Sequence, residues 1–244
     1  MYNIIVHMKR VSFPEGSYVH VFNRGAKKMP IYREKSDQWR MLFGLFYFNS
    51  VYLPSDWVQA LRNEDCLPKF VWPKDKFGER SPLVSILAYT IMPNHFHLVL
   101  KEKVSKGISM FMHKFCMGYS KFINAKYSES GTIFQGPFKS VPVLGDEHLR
   151  YLAVYIMVKN VFELFPGGLT KATDNFDAAF DFALNYPFSS LPDYAGARTS
   201  KIISRDIYGG LFPDRKQFKE FARDCIVGRN KSVAEFLEGS MFDE

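Results

Sequence analysis

Residues 92–100 read Met92-Pro93-Asn94-His95-Phe96-His97-Leu98-Val99-Leu100. Successive side chains of an extended strand face opposite ways. Phe96, Leu98 and Leu100 therefore share one face, and His95 and His97 share the other. Pro93-Asn94 is turn chemistry, and Leu83–Met92 ahead of it is apolar and β-branched, so the region reads as two strands joined in a hairpin, Leu83–Met92 and His95–Lys101. Working outward, Ser17–Arg24 (SYVHVFNR) reads as a strand ending at Gly25. Glu34–Asn49 carries Trp39, Leu42, Phe43, Phe46 and Tyr47 at helical spacing. Residues 51–82 hold Pro54, Pro68, Pro73, Pro82 and the charged run KDKFGER; they read as an insertion with one short helix capped by Ser55.

Gly107–Tyr127 is the strongest helix, with Ile108, Phe111, Met112, Phe115, Tyr119, Phe122 and Ile123 in one apolar stripe and Lys114, Lys121 and Asn124 off it. Thr132–Leu144 reads as a further strand region. Asp146 is a good N-cap for a helix to about Phe165, stopped by Pro166-Gly167-Gly168. The order strand–helix–strand–strand–helix–strand predicts an α+β chain of the ferredoxin-like, split βαβ kind, with an antiparallel sheet and helices on one face. The main domain is expected over 1–165. A partly helical C-terminal extension follows over 166–244, where Pro213–Val227 is expected to pack Phe218, Phe221 and Ala222 inward.

Composition sets outer bounds. With 244 residues, 47% hydrophobic and 23% charged, the chain can bury a sizeable core. The net charge of +7 is uneven: residues 1–165 hold 22 Lys and Arg against 13 Asp and Glu, whereas residues 166–244 are slightly acidic. A basic front points to a polyanion, with nucleic acid first and an anionic membrane second. Arg24, Lys27 and Lys28 after the first strand, Lys114, Lys121 and Lys126 on the long helix, and Lys139 beyond it make up much of this excess. Each is equally readable as a solvated surface residue; phosphate contacts of this kind would give affinity rather than sequence choice. Cys66, Cys116 and Cys225 form no CxxC pair, which fits a reducing cytoplasm. MYNIIVHMKR lacks the apolar core of a signal peptide, and Met41–Leu53 is shorter than the roughly 20 residues that span a bilayer. A soluble cytoplasmic protein with no membrane partner is expected.

Two neutral imidazoles on one strand face, two residues apart, are suitably spaced for one divalent ion. The plain alternative is a pair of strand histidines with local hydrogen bonds, and a bare HxH favours that alternative. His20 on the first strand reads as structural, and His113 and His148 as surface or core residues. No HExxH helper is present for an unrelated metal hydrolase.

In context, several segments together resemble the single-tyrosine HUH transposases, specifically the insertion-sequence (IS200-like) transposases and their REP-associated relatives. They are Tyr18-Val19-His20-Val21-Phe22-Asn23-Arg24-Gly25, the His95-Phe96-His97 run, Phe134-Gln135-Gly136-Pro137-Phe138-Lys139, the helix HLRYLAVYIMVKN and, more weakly, Tyr186-Pro187-Phe188-Ser189-Ser190. The resemblance spans most of residues 17–165. It implies cleavage and rejoining of single-stranded DNA next to a hairpin through a 5′-phosphotyrosine. It also implies Mg²⁺ or Mn²⁺ on His95 and His97, and single-stranded or hairpin DNA as partner. The family's tyrosine falls on Tyr155. By residue spacing alone, Tyr155 shares a stripe with Tyr151 and Lys159, opposite Leu149, Leu152 and Ile156, and is no better placed than Tyr119 or Tyr127 on the preceding helix. Relatives carry an amide one helical turn after the tyrosine, whereas Lys159 stands there in this chain, with Asn160 next to it. Three readings stay open: Lys159 neutralises the phosphate or lowers the Tyr155 pKa, Asn160 takes over through a shift of register, or the chain is a domesticated, catalytically silent hairpin-binding protein. Insertion-sequence relatives act as homodimers and REP-associated ones can act alone, so the resemblance leaves both states open.

Overall fold

In the computed structural model, residues 12–54, 56–57, 59, 69–212 and 214–228 are described. Strands β1 (Tyr18–Arg24), β2 (Val84–Ile91), β3 (His95–Glu102) and β4 (Lys139–Pro142) form one sheet in the order β2-β3-β1-β4. Helices α1 (Lys35–Tyr47) and α3 (Gly107–Tyr127) provide the two crossovers, and the short α2 (Lys74–Phe77) lies in the insertion. This is the expected α+β, ferredoxin-like order, with the first and third strands central. The chain divides by contact into two compact units. One holds residues 1–86, 93–95 and 100–142; the other holds 87–92, 96–99 and 143–244.

In the first unit, β1 pairs antiparallel with β4 from Val19↔Pro142 to Phe22↔Lys139. Helix α1 begins at a capping box in which Glu34 and Asp37 each accept the other's backbone N–H. Its C-terminal neighbour Asn49 bonds both the N–H and the carbonyl of Val84, at 3.0 and 2.8 Å, so a side chain extends the edge of β2. Helix α3 starts from Lys106 in left-handed backbone (φ 61°), and its first turn is capped from outside by Glu102, whose Oε2 accepts from Ile108 N–H at 2.9 Å. Gly118 of α3 lets the Phe48 ring lie flush against the helix, since a Cβ there would stand 2.2 Å from Phe48 Cζ.

Helix α4 (Asp146–Val154) opens the contiguous part of the second unit. It runs through a π-turn at Tyr155–Lys159 into a last α-turn at Asn160–Phe162. Then follow α5 (Gly168–Asp174), α6 (Phe176–Leu184), α7 (Leu191–Tyr194), α8 (Asp206–Leu211) and α9 (Arg215–Ile226). The expected C-terminal helix is α9. It buries Phe218 and Ala222 and stacks Phe221 on Tyr151 at 5.9 Å.

The Tyr186–Tyr194 segment lines the outer edge of β2 through residues 87–91. Ile91 N–H donates to Phe188 O (2.9 Å) and Ser190 N–H to Tyr89 O (3.0 Å), while the Tyr186 and Tyr194 hydroxyls donate to Ile91 O and Leu87 O, each at 2.6 Å. Arg198 locks the segment down by donating to Tyr89 Oη, Pro187 O and Ser189 O, with Asp193 as its ion-pair partner at 2.5 Å. An exposed strand edge is thereby covered.

Four sequence expectations are corrected. Only Lys139–Pro142 of the expected 132–144 strand is extended ladder; Gly136 and Pro137 interrupt the rest, leaving a Gly25↔Phe134 bridge. Trp39 is 36% exposed, because α1 turns Met41, Leu42, Leu45 and Phe46 inward instead. Asp146 is the first helical residue; Gly145 at φ 89° is the cap. The single helix to Phe165 contains a π-turn and ends in α-form at Phe162. The expected cap Ser55 lies outside the described residues.

Candidate active site

Strand β3 places His95 and His97 two residues apart, and both are buried, at 8% and 2% exposure. In the first unit, His95 Nδ1 lies 2.7 Å from Asn94 Oδ1. The same amide's Nδ2 donates to Lys28 O at 3.4 Å, which fixes its oxygen toward the imidazole. With the amide so oriented, its oxygen accepts from a protonated His95 Nδ1, the tautomer whose lone pair is on Nε2, one of the two nitrogens through which histidine binds metals. Gly25 N–H donates to Asn94 O at 2.7 Å and Ile31 N–H to Pro93 O at 2.8 Å, so the loop after β1 holds this turn by its backbone.

In the second unit, the Tyr155 ring meets the His97 ring edge to face, with centroids 5.3 Å apart and planes at 86°. Tyr155 is 2% exposed. The expected division of α4 into a Tyr151–Tyr155–Lys159 stripe and an opposite buried stripe is not observed, since Tyr151 through Val158 are all buried. Lys159 Nζ lies 5.2 Å from the Tyr155 ring centroid and pairs with Glu163 at 2.8 Å. A carboxylate thus already answers its charge.

The π-turn changes which residue follows Tyr155 by one turn. Asn160 N–H donates to Tyr155 O, an i→i+5 bond. In a regular helix the i+4 residue, Lys159, would close that turn; here Asn160 does. Asn160 is 1% exposed, and its Nδ2 has no hydrogen-bond partner among the described residues. Thr90, which sequence reasoning passed over, donates its hydroxyl to Ile156 O, and Ser189 donates to Met157 O at 3.4 Å. A lone threonine in an apolar strand gives no sequence signal for such a role.

The expected DNA-contacting cations are not alike. Lys27, Lys28, Lys121 and Lys139 are exposed; Arg24 is half-buried. Lys27 and Lys28 adopt left-handed backbone (φ 54° and 61°), a strained turn after β1. Lys114 donates to Ser50 O (2.7 Å) and Val51 O (2.9 Å), and burial lowers its pKa. Lys126 belongs to an ion cluster with Asp37 and Glu34. His20 lies on β1 with its ring 5.0 Å from Phe22.

Among the described residues, no group of three or more His, Cys, Asp and Glu could hold a metal ion. Within the second unit, the His97 imidazole and the buried Asn160 amide are donor types that suit a divalent ion; in the first unit, His95 is a further imidazole donor.

These elements define an α+β protein with a paired-histidine strand and a tyrosine helix. The model for the family described as Transposase IS200 like matches residues 79–159, about a third of the chain, from ahead of β2 to the end of the π-turn. The matched segment carries both histidines and Tyr155. One solved structure, a REP-associated tyrosine transposase bound to a REP hairpin, is similar over 85% of this chain and 88% of that one, at 14% identity and a TM-score of 0.39. No curated protein matches. Among the described residues, no helix is long and apolar enough to cross a membrane.

Proposed function

We propose that this chain cuts and rejoins single-stranded DNA next to a hairpin, with Tyr155 as nucleophile and His95 and His97 holding Mg²⁺ or Mn²⁺. The observation that carries the reading is the edge-to-face contact of Tyr155 with His97 inside the segment that matches the transposase family. Tyr155 Oη gives up its proton and attacks the scissile phosphorus; the P–O3′ bond breaks, and the 3′ oxygen takes up one proton and leaves as a hydroxyl, so no proton is consumed overall. The 5′-phosphotyrosine conserves the bond energy, so a 3′-hydroxyl of the acceptor strand reverses the step without ATP. A bound divalent ion supplies charge neutralisation and polarisation of the phosphate. Asn94 favours the His95 tautomer with its lone pair on Nε2, and Asn160 presents an amide one turn from Tyr155. Lys159 sets a cation beside the Tyr155 ring, 5.2 Å from its centroid. Arg24, Lys27, Lys28, Lys121 and Lys139 contribute backbone affinity, which makes binding weaken steeply with salt.

The test is covalent capture. Full-length protein with hairpin-flanked single-stranded oligonucleotide and Mn²⁺ should give a denaturation-resistant adduct, lost in Tyr155→Phe and in His97→Ala. An adduct that persists in Tyr155→Phe would remove the assignment of that residue. Salt-sensitive hairpin binding without cleavage under any divalent ion would favour the domesticated, silent binder.

A further inference from the structure

A change from i→i+4 to i→i+5 bonding displaces one carbonyl from its usual donor. Here the donor is known: Asn160 N–H, which a regular helix would give to Ile156 O, goes to Tyr155 O instead. The carbonyl that loses it is the one Thr90 Oγ1 serves. The next carbonyl, Met157 O, takes the Ser189 hydroxyl. Thr90 and Ser189 are themselves antiparallel bridge partners, and both are fully buried. Two hydroxyls side by side across a β-bridge thus meet two consecutive carbonyls of the π-turn. Thr90 stands in a strand otherwise rich in Val, Ile and Leu, where a buried hydroxyl is unfavourable unless it is bonded. Its presence is explained by the carbonyl it satisfies.

We infer that Thr90 and Ser189 are positioning residues that hold the π-turn open, and thereby set Tyr155 against His97 and put Asn160, not Lys159, one turn beyond the tyrosine. The inference rests on the transposase reading for its catalytic consequence and on the hydrogen-bond pattern alone for its structural one. Neither hydroxyl touches substrate; each acts through the helix.

The experiment compares Thr90→Val, Thr90→Ser and Ser189→Ala in the full chain by two readouts. The first is hydrogen exchange of backbone amides over 155–162, which needs no activity. Thr90→Val is expected to speed exchange there about tenfold, the equivalent of one buried hydrogen bond, while Thr90→Ser stays near the parent. The second is the rate of adduct formation at saturating DNA. It should fall about tenfold or more in Thr90→Val with unchanged half-saturating DNA, and recover in Thr90→Ser. Unchanged exchange in Thr90→Val, or a Thr90→Ser protein as impaired as Thr90→Val, overturns the inference, since the latter outcome would assign the effect to the lost methyl. Should Thr90→Val not fold, Ser189→Ala decides: faster exchange over 155–162 supports the inference and unchanged exchange overturns it. A parent protein that forms no adduct would fail the transposase reading, and the exchange readout would still decide the register.

Discussion

Replacing Asp37 by Asn should destabilise the protein by about 2–4 kcal/mol at neutral pH, and the number can be worked from its partners. The Asp37 carboxylate is fully buried and accepts from Lys126 Nζ at 2.6 Å, Tyr127 Oη at 2.7 Å, and the N–H groups of Arg33 and Glu34 at 2.9 and 3.2 Å. Burial by itself would raise its pKa; the Lys126, Arg33, Tyr127 and Glu34 hydrogen bonds outweigh it and hold the carboxyl below its ordinary 3.8. An amide keeps one acceptor oxygen and turns an NH₂ toward donors it cannot satisfy. With its NH₂ in the Oδ1 place the amide loses the Lys126 bond and sets an NH₂ against that ammonium; with its NH₂ in the Oδ2 place it loses the three bonds from Tyr127, Arg33 and Glu34. A charge-assisted bond lost at a buried site costs about 1–3 kcal/mol before the unpaired charge is counted. The total is held down because Lys126 retains Glu34 and its side chain is 27% exposed to water. In a chain of this length, that is a fall in Tm of about 5–15 °C. A carboxyl with a depressed folded pKa contributes stability above its unfolded pKa and loses it as pH falls through the folded value. The deficit of Asp37→Asn should therefore shrink as pH drops below about 4. Urea unfolding followed by circular dichroism at several pH values measures both effects. A deficit under about 0.5 kcal/mol at neutral pH, or one independent of pH, would refute the account.

Asn94→Ala should weaken Mn²⁺ binding about 10–100-fold, measured by electron paramagnetic resonance of the free ion, because His95 loses the oxygen that fixes its tautomer. Lys159→Met should alter stability by no more than about 0.5 kcal/mol in urea, since the Lys159–Glu163 pair is a part-exposed i,i+4 contact. Gly118→Ala should cost about 1–3 kcal/mol in a thermal melt, because the Phe48 ring it would strike is buried and packed edge-on against Trp57 at 5.0 Å. His148 should titrate below its ordinary 6.5 by NMR, since burial disfavours its charged form. Its neutral ring accepts Leu144 N–H at 3.2 Å, so the stability it contributes is present above pH 6.5 and lost as the pH falls.

Pattern and turn chemistry sufficed for most of the scaffold. The α3 boundaries, Gly107–Tyr127, follow from an apolar stripe sustained over many turns. The hairpin follows from Pro93-Asn94 between two apolar runs. The shortfalls lie where long-range contacts decide. Residues 132–135 have strand-forming side chains, yet Gly136 and Pro137 follow them, and the contacts with β1 and the loop after it are a bridge at Gly25, single bonds from Ala26 N–H to Ile133 O and from Gln135 N–H to Arg24 O, and the Asn23 amide on Gly136 O. Lys114 and Lys126 read as surface charge because a sequence does not show carbonyls 63 and 64 residues away, or carboxylates 89 and 92 away, that take up their ammonium groups.

The π-turn marks the sharper boundary of sequence reading. Helical spacing arguments assume 3.6 residues per turn throughout, and on that assumption Lys159 follows Tyr155 while Asn160 falls to the side. Nothing local in YIMVKN announces a wider turn, since Ile, Met and Val suit either helix. What favours the wider turn lies in β2 and in the segment that covers its edge: a hydroxyl at Thr90 for Ile156 O, and one at Ser189 for Met157 O. A Lys where an amide was expected is therefore not by itself evidence of decay. The amide is still on the helix, one residue later, and the chain there is wound one residue wider. If Asn160 is the amide that matters, Asn160→Ala should weaken Mn²⁺ binding while Lys159→Met leaves it within about twofold. Equal losses in both variants would show that helix register does not discriminate between them.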